Sequence, residues 1–503
     1  MDFGLMLSSF GQVFLPQNIL FVFIGAIGGV LIGSIPGLTS TMGIALLVPF
    51  TYGMDFIPSV GMLLGIFCGA MYGGSISAIL IRTPGTPAAA ATILDGYPMG
   101  QKGEAGRALS ISLFSSFFGG LIGALLMTFL SPFISKMALK FGPAEFFTLA
   151  VFGLSVIISI SGKSLVKGLI TALFGLLIST VGMDKTCAYL RFFRFQGFYD
   201  GIPFIPALIG LFAISEVFTN FEHMLASQKV KTKIAHVLPS WSDVKTISRA
   251  VVTGGLIGTF IGAIPGAGGD ISAFVSYSEA KRVSKHPEKF GTGIPEGVAA
   301  AESANNGCSG GAMIPMLSLG VPGDSNTAVL MGAFIMQGFQ PGPMMYVEHL
   351  DIVYAVFASL IVANFAMLLV GMCGVRTFAK VISLERKVLI PIILILSLVG
   401  SYAINQSMFD VYFAIVMGIV GYLFQKYEFP LSPILLALIL GPMSESNLRR
   451  FMQIADGKFL TIFTKPICVV FILLAVASMI SAVRNQHKIN LKEEANKTAG
   501  TEQ

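Results

Sequence analysis

Residues 78–90 read AILIRTPGTPAAA, an apolar segment that is interrupted by two prolines and a glycine and then resumes. Residues 315–329, PMLSLGVPGDSNTAV, repeat this arrangement far along the chain. Proline removes a backbone hydrogen-bond donor, and glycine permits dihedral angles that other residues avoid. The two interruptions therefore predict helices that are broken inside apolar surroundings.

The composition places these broken segments in a membrane protein. Of the 503 residues, 54% are hydrophobic and only 12% are charged, and the mean hydropathy is +0.80. A soluble protein carries about 25% charged residues, so this chain cannot cover a water-facing surface of its size. Apolar stretches of spanning length, roughly 20 residues, recur from residue 18 to residue 483. We predict an all-α polytopic membrane protein with roughly a dozen transmembrane helices, broken ones included.

The polar and reactive residues exclude several classes of protein. The five cysteines are scattered without CxxC spacing, and the five histidines form no metal-ligand pair. The chain has no P-loop, no HExxH motif and no Ser/His/Asp constellation, so ATP hydrolysis and proteolysis are unsupported. The net charge of +6 lies mainly in loops and the tail, where it indicates membrane orientation rather than nucleic-acid binding.

Matching landmarks on either side of a polar interruption indicate an internal duplication. GGVLIGSIPGLTSTMG at 28–43 pairs with GGLIGTFIGAIPGAGGDIS at 254–272, and GAMYGGSISAILIRTPGTP at 69–87 pairs with GCSGGAMIPMLSLGVPGDS at 307–325. The order of glycine-rich helix, I-P-G break, loop, second glycine-rich helix and P-G break recurs. We predict four regions: repeat one over 1–220, a basic cytoplasmic linker over 221–249, repeat two over 250–483 and a polar cytoplasmic tail over 484–503.

Charge predicts that the two repeats have opposite orientations in the membrane. After the first break, residues 51–60 hold no Lys or Arg, whereas EAKRVSKHPEK at 279–289 follows the equivalent break in repeat two. After the second break the pattern reverses: basic residues follow it in repeat one, and none occurs from 290 to 375. Basic loops stay cytoplasmic, so equivalent loops lie on opposite faces. Inverted-topology repeats with broken or re-entrant helices at the midplane are typical of secondary transporters.

The four breaks predict one shared site. Irregular backbone persists at membrane depth only inside protein or beside a water-filled cavity. Helix N-termini aimed into such a cavity suit a carboxylate, and free carbonyl groups suit a cation. The alternative is that proline and glycine merely kink these helices. The candidate substrate-binding residues are Thr39, Ser40, Thr41, Ser75, Thr83, Pro84, Gly85, Thr86, Asn305, Asn306, Pro322, Gly323, Ser325 and Asn326, and the candidate ion-coupling residues are Asp270, Ser272, Glu302, Asp324 and Thr327.

The charged candidates each have a second interpretation. Glu302 shares one helical face with Asn306, and intramembrane ionisable residues are functional candidates, but Glu302 could also be a solvated residue at a cytoplasmic helix end. Asp270 and Asp324 each follow a break, where a carboxylate can couple an ion or cap a helix. Arg82 can bind a substrate carboxylate bidentately or reach anionic lipid head groups.

At these same residues the sequence resembles the large membrane subunit of the tripartite tricarboxylate transporters, the TctA family. The resemblance implies a multi-pass protein of the bacterial inner membrane that acts with a small membrane subunit and a periplasmic solute-binding protein. It places residues 84–86 and 322–325 on signature loops that line the site. The motifs that carry it include GSIPGLTSTMGIALLVPFTYGMD, GAMYGGSISAILIRTPGTPAAAATILDGYPM, GAIPGAGGDISAFVSY and PEGVAAAESANNGCSGGAMIPMLSLGVPGDSNTAV.

The resemblance also implies what the protein transports. Family members import di- and tricarboxylates such as citrate, or related organic acids, by secondary transport driven by Na⁺ or H⁺, without a cofactor or nucleotide hydrolysis. We therefore expect a symporter rather than an enzyme. It is embedded in the lipid bilayer, can form a homodimer and has no nucleic-acid partner. The alternatives are an ion channel or an uncoupled solute facilitator. An intramembrane enzyme would need a nucleophile–base pair, and no histidine accompanies the serines.

Overall fold

A computed structural model describes residues 3–160, 164–184, 189–192, 195–222, 238–381 and 386–500. These residues form helices and one two-stranded antiparallel ribbon, which confirms the all-α class. Most of the predicted linker, 223–237, lies outside the described residues. The elements are α1 Phe3–Val13, α2 Pro16–Ser34, α3 Ser40–Leu47, α4 Phe56–Ile81, α5 Ile93–Met99, α6 Ala105–Ala138, α7 Pro143–Ile160, α8 Leu165–Ser179, β1 Gly182–Met183, β2 Leu190–Arg191, α9 Phe204–Leu208, α10 Ser215–Glu222, α11 Trp241–Gly262, α12 Gly269–Val283, α13 Pro295–Leu319, α14 Ser325–Met336, α15 Met345–Glu348, α16 Leu350–Val381, α17 Arg386–Asn405, α18 Met408–Lys426, α19 Ser432–Ile454 and α20 Pro466–Gly500.

The helices confirm a multi-pass membrane protein. Eight helices in the described ranges are long and apolar enough to cross a membrane, and five shorter apolar helices accompany them. Two of the short helices, Ser40–Thr51 and Ser325–Met336, directly follow the first and fourth breaks. The eight long candidates are Pro16–Ser34, Phe56–Ile81, Ile93–Ala138, Phe204–Phe221, Trp241–Gly262, Leu350–Val375, Met408–Lys426 and Pro466–Arg484.

The chain forms two compact units. The first comprises Met1–Leu139 and Ile205–Tyr422, and it contains all four breaks. The second comprises Lys140–Phe204 and Leu423–Gln503. Ion pairs within the second unit join distant parts of the chain: Lys465 lies 3.0 Å from Glu145, and Arg191 pairs with both Asp184 and Glu445. The predicted repeat boundaries stay a prediction, because compact units do not show where two copies of a sequence meet.

Glycines bring pairs of helices into backbone contact in the first unit. A Cβ atom added to Gly29 on α2 would lie 2.5 Å from the carbonyl oxygen of Ile66 on α4. A Cβ atom added to Gly262 on α11 would lie 2.6 Å from the carbonyl oxygen of Cys308 on α13. Small residues permit such approach between membrane helices. The α2–α4 pair of the first half and the α11–α13 pair of the second half therefore pack in the same way.

The breaks themselves follow the same correspondence. Gly85, in the second break, packs against the carbonyl oxygen of Gly33 at the end of α2. Gly323, in the fourth break, packs against Gly262 at the end of α11, where an added Cβ atom would lie 2.6 Å from the carbonyl oxygen. These paired contacts support the predicted duplication. The opposite orientation of the halves in a membrane stays a prediction.

We expect Gly29→Ala to separate α2 from α4, because its added methyl group meets backbone that cannot move aside. The expected cost is about 1–3 kcal/mol of unfolding free energy, as for other overpacked sites. Gly28→Ala is the matched control, since no atom lies within 4 Å of a Cβ atom added there and alanine favours the helix by up to about 1 kcal/mol. Unfolding temperatures of the two variants in detergent measure the difference, and equal temperatures would contradict the close packing.

Candidate functional site

Each break ends one helix and starts another within a few residues. After α2, Gly37 adopts a φ of 94°, and Thr39 caps α3 by accepting a hydrogen bond of 3.1 Å from the backbone N–H of Met42. After α11, Gly266 adopts a φ of 88° at the equivalent place, and Gly268 precedes α12. Positive φ angles of this size favour glycine. The I-P-G motifs therefore encode the turns that the sequence predicts.

Hydrogen bonds join the first break to the fourth. The hydroxyl groups of Ser40 and Thr41 each donate to Oδ1 of Asn326 at 2.8 Å. The Nδ2 group of Asn326 donates in turn to Oδ2 of Asp324 at 2.9 Å. All four side chains are buried. One loop from each predicted repeat thus meets at the amide of Asn326.

Asp324 caps the helix that follows the fourth break. Its Oδ1 accepts hydrogen bonds from the backbone N–H and the hydroxyl of Thr327, at 2.8 and 2.7 Å. The Thr327 hydroxyl accepts the backbone N–H of Asp324 at 2.9 Å, which completes a capping box. Asp324 therefore caps a helix, which is one of the two roles that the sequence left open for it. Asp270 is exposed. It lies near Asp324, because both side chains border the space beside Gly268.

Two buried polar atoms beside the second and third breaks have no hydrogen-bond partner in the part of the chain that the structure describes. The hydroxyl of Thr86 is one of them, and Oδ1 of Asn305 is the other. The Nδ2 group of Asn305 donates to the carbonyl oxygen of Met71, which fixes the amide orientation. A Cβ atom added to Gly269 would lie 2.9 Å from Oδ1 of Asn305 and 3.3 Å from the Ala88 side chain. The start of α12 therefore lies beside the segment that follows the second break.

Glu302 is fully buried, so its interpretation as a solvated residue at a helix end is wrong. The hydroxyl of Thr92 donates to its Oε1, and the hydroxyl of Ser116 donates to its Oε2 at 3.0 Å. No basic side chain in the described part of the chain forms an ion pair with it. A carboxyl group in this position is a strong candidate for binding a cation or a proton.

Sequence reasoning missed Asp95, which holds the start of α13. Its Oδ1 accepts hydrogen bonds from the backbone N–H groups of Gly291, Gly293 and Ile294, at 2.9, 2.7 and 3.0 Å. Its Oδ2 accepts the hydroxyl of Tyr277 at 2.8 Å. Both glycines have positive φ angles, which turn their N–H groups toward the carboxylate. The signal available in the sequence was an acidic residue inside an apolar segment.

Two predicted site residues lie inside the helix bundle rather than in the loops. The hydroxyl of Ser75 donates to the carbonyl oxygen of Tyr72 and lies 2.6 Å from the hydroxyl of Ser112. The hydroxyl of Ser272 donates to carbonyl oxygens, including that of Ala304 at 3.2 Å. These contacts tie helices together, and the predicted roles of Ser75 and Ser272 in binding stay predictions.

The remaining predicted positions lie partly at loop surfaces and partly inside the protein. Thr83 is exposed, and its hydroxyl reaches only the carbonyl oxygen of Ile81, at 3.4 Å. Arg82 is exposed and ends α4 with a φ of 58°, and its guanidinium group lies 5.7 Å from the centre of the Tyr97 ring. Ser325 begins α14 and is half-buried. Asn306 belongs to the Glu302 centre, and Pro84, Gly85, Pro322 and Gly323 form the backbone of the two P-G breaks.

Interrupted membrane helices that meet at buried polar loops occur in secondary transporters and in channels. The family model for "Tripartite tricarboxylate transporter TctA family" matches residues 19–436. The chain therefore belongs to the TctA family, which is a family of transporters.

Two relatives from Agrobacterium vitis carry names that state no activity. One is the "Uncharacterized 52.8 kDa protein in TAR-I ttuC' 3'region", which is 37% identical over 469 residues that cover 93% of both chains. The other is the "Uncharacterized protein in TAR-II ttuC' 3'region", which is 36% identical over 236 residues, 46% of this chain and 98% of the relative. No solved structure matches the chain.

We expect Asp95→Ala to loosen the start of α13, because three backbone N–H groups lose their acceptor. Hydrogen bonds to a charged group contribute roughly 1.5–3 kcal/mol, so the variant should lose unfolding free energy of that order. Amide hydrogen exchange at residues 291–294 should accelerate. Tyr277→Phe is the control, because it removes one hydrogen bond and leaves the three backbone contacts in place. Unchanged exchange in Asp95→Ala would show that the carboxylate does not hold this segment.

Proposed function

We propose that this chain is the large membrane subunit of a secondary transporter that imports carboxylates together with Na⁺ or H⁺. It works in the bacterial inner membrane with a small membrane subunit and a periplasmic solute-binding protein that delivers the substrate. The substrates are di- or tricarboxylates such as citrate, or related organic acids. Membership of the TctA family supports this proposal, and the geometry of the breaks adds a physical reason for carboxylates.

The observation that carries the proposal is the junction at Asn326. Hydrogen bonds from Ser40 and Thr41 to Asn326 bring together the first turns of α3 and α14. A helix N-terminus bears a partial positive charge and free N–H groups. The cap of α3 is the neutral Thr39, so this end keeps its attraction for a carboxylate. The cap of α14 is Asp324, whose carboxylate offsets the positive charge of that helix end.

The junction of the second and third breaks provides polar atoms for the substrate. Both Thr86 and Asn305 are buried, and each leaves one polar atom without a partner. Buried polar groups are nearly always hydrogen-bonded, so each of these atoms is available to a ligand that completes its bonding. A hydroxyl donor and an amide group can together bind a carboxylic acid and its hydroxyl substituents.

Uptake into proteoliposomes tests the proposed function. The chain is reconstituted with its small membrane subunit, and labelled carboxylates are offered with the solute-binding protein while sodium and pH gradients are imposed separately. We expect accumulation above the external concentration that requires one gradient and the binding protein. Flux that is equal without a gradient would identify a channel or an uncoupled facilitator instead.

We expect Thr86→Val to lower carboxylate uptake at limiting substrate about tenfold, which corresponds to the loss of one hydrogen bond of about 1.4 kcal/mol. Valine has the shape of threonine, and the hydroxyl bonds to no group in the described ranges, so the unfolding temperature should not fall. The control is Thr246→Val, which removes an exposed hydroxyl that bonds only to the carbonyl oxygen of Ser242 in its own helix. Uptake by Thr86→Val that equals the control would remove Thr86 from the substrate site.

A further inference from the structure

A second polar centre lies within the helices of the first unit, at Glu302. The side chain is fully buried and has hydroxyl donors but no basic partner in the described residues. Removing a carboxylate from water costs several kcal/mol unless a positive charge accompanies it. The hydroxyl groups of Thr92, Ser116 and Ser112 offset only part of that cost. The centre therefore favours the binding of a positive ion.

The turn of α13 that follows Glu302 and the neighbouring helix α16 each contain a buried amide oxygen. Neither oxygen accepts a hydrogen bond from the part of the chain that the structure describes. Asn306 lies one turn after Glu302, and its Nδ2 group contacts the sulfur atom of Met367 at 3.1 Å. Asn364 lies one turn before Met367, and its Nδ2 group donates to the carbonyl oxygen of Leu360 at 2.8 Å. Both Oδ1 atoms lack a hydrogen-bond partner among the described residues, and both residues are fully buried. Two buried amide oxygens that accept no hydrogen bond indicate a place where a ligand supplies the missing contacts.

Glu302 and Asn364 contact neighbouring turns of helix α6. Ser116 donates to Glu302, and Gly120 lies one turn further along α6. The amide oxygen of Asn364 occupies the space that a Cβ atom at position 120 would fill. Gly120 is thus required for the amide of Asn364 to lie against α6 beside the Glu302 centre. The carboxylate and the two unpartnered oxygens therefore line one region between α6, α13 and α16.

We propose that the carboxylate of Glu302 and the amide oxygens of Asn306 and Asn364 bind one sodium ion. A set of oxygen ligands selects hard cations. A single carboxylate neutralises one positive charge, whereas a divalent ion would leave a net charge in surroundings of low dielectric constant. The inference rests on the proposed function in that it assigns the coupling cation a site.

This site is separate from Asp324. Gly323, next to Asp324, packs on Ala312 of α13. From Glu302 to Ala312 the helix rises about 15 Å, at 1.5 Å per residue. The two centres can therefore be tested independently by substitution.

The test measures sodium binding directly on the purified full-length chain. Unfolding temperatures are recorded at constant ionic strength and constant pH with NaCl, KCl or choline chloride, and radioactive sodium reports equilibrium binding. We expect NaCl to raise the unfolding temperature in a saturable way that KCl and choline chloride do not reproduce, with one sodium ion bound per chain.

Matched variants locate the site. Glu302→Gln should abolish the sodium-dependent shift, and Asn364→Leu should weaken sodium binding roughly ten- to hundredfold through the loss of one ligand of a charged species. Asp324→Asn should keep the shift, because it alters only the loop centre. If Glu302→Gln does not fold, sodium binding by the unsubstituted chain and by Asn364→Leu still decides the outcome.

Three results would overturn the assignment: no sodium-specific shift, a shift that survives in Glu302→Gln and Asn364→Leu, or a shift that is lost in Asp324→Asn alone. A stabilisation that follows pH and ignores sodium would also overturn it and indicate a proton site. Sodium binding at Glu302 without carboxylate uptake would contradict only the proposed function. Coupled uptake without sodium binding at Glu302 would contradict only this site.

Discussion

The interior of a membrane offers no water to backbone groups, so every interruption of a helix there must be enclosed by protein or line a water-filled cavity. This chain meets that constraint with glycine. The second break lies against the end of α2 through Gly85 and Gly33, and the fourth lies against the end of α11 through Gly323 and Gly262. The backbone N–H of Gly266 also donates to the carbonyl oxygen of Gly323 at 2.6 Å, which joins the third break to the fourth. Side chains at these positions would exclude the loops from the protein interior.

Once the loops are enclosed, a few side chains connect the two halves of the sequence. Asn326 accepts the hydroxyl groups of the first break, and Asp95 holds the segment that begins α13. The loops and the Glu302 centre are thus linked through one helix, since α13 carries Glu302 and ends at the fourth break. The same geometry explains why the TctA-family motifs extend over loops and helices alike.

The sequence predicted the class, the breaks and much of the loop chemistry, because proline, glycine and apolar length act locally. It also identified Asn326 and Asp324, which the structure brings into one hydrogen-bonded group. It could not tell that Ser75 and Ser272 bond to neighbouring helices, because the partner of a hydroxyl depends on tertiary contacts. Asp95 escaped notice for the same reason, since its partners lie nearly two hundred positions away. The solvated interpretation of Glu302 was wrong because helix ends and buried turns share the same local sequence pattern.

The central claim is that loops from the two halves form one site through Asn326. A double-mutant cycle on the free energy of unfolding tests it most directly, with Thr41→Val, Asn326→Leu and the combined variant measured in the same detergent. Residues in direct contact couple by roughly 0.5–3 kcal/mol, whereas distant residues add independently to within about 0.5 kcal/mol. We predict coupling in the first range, because the Thr41 hydroxyl donates to Asn326 at 2.8 Å. Additive effects would contradict a site that the two halves share.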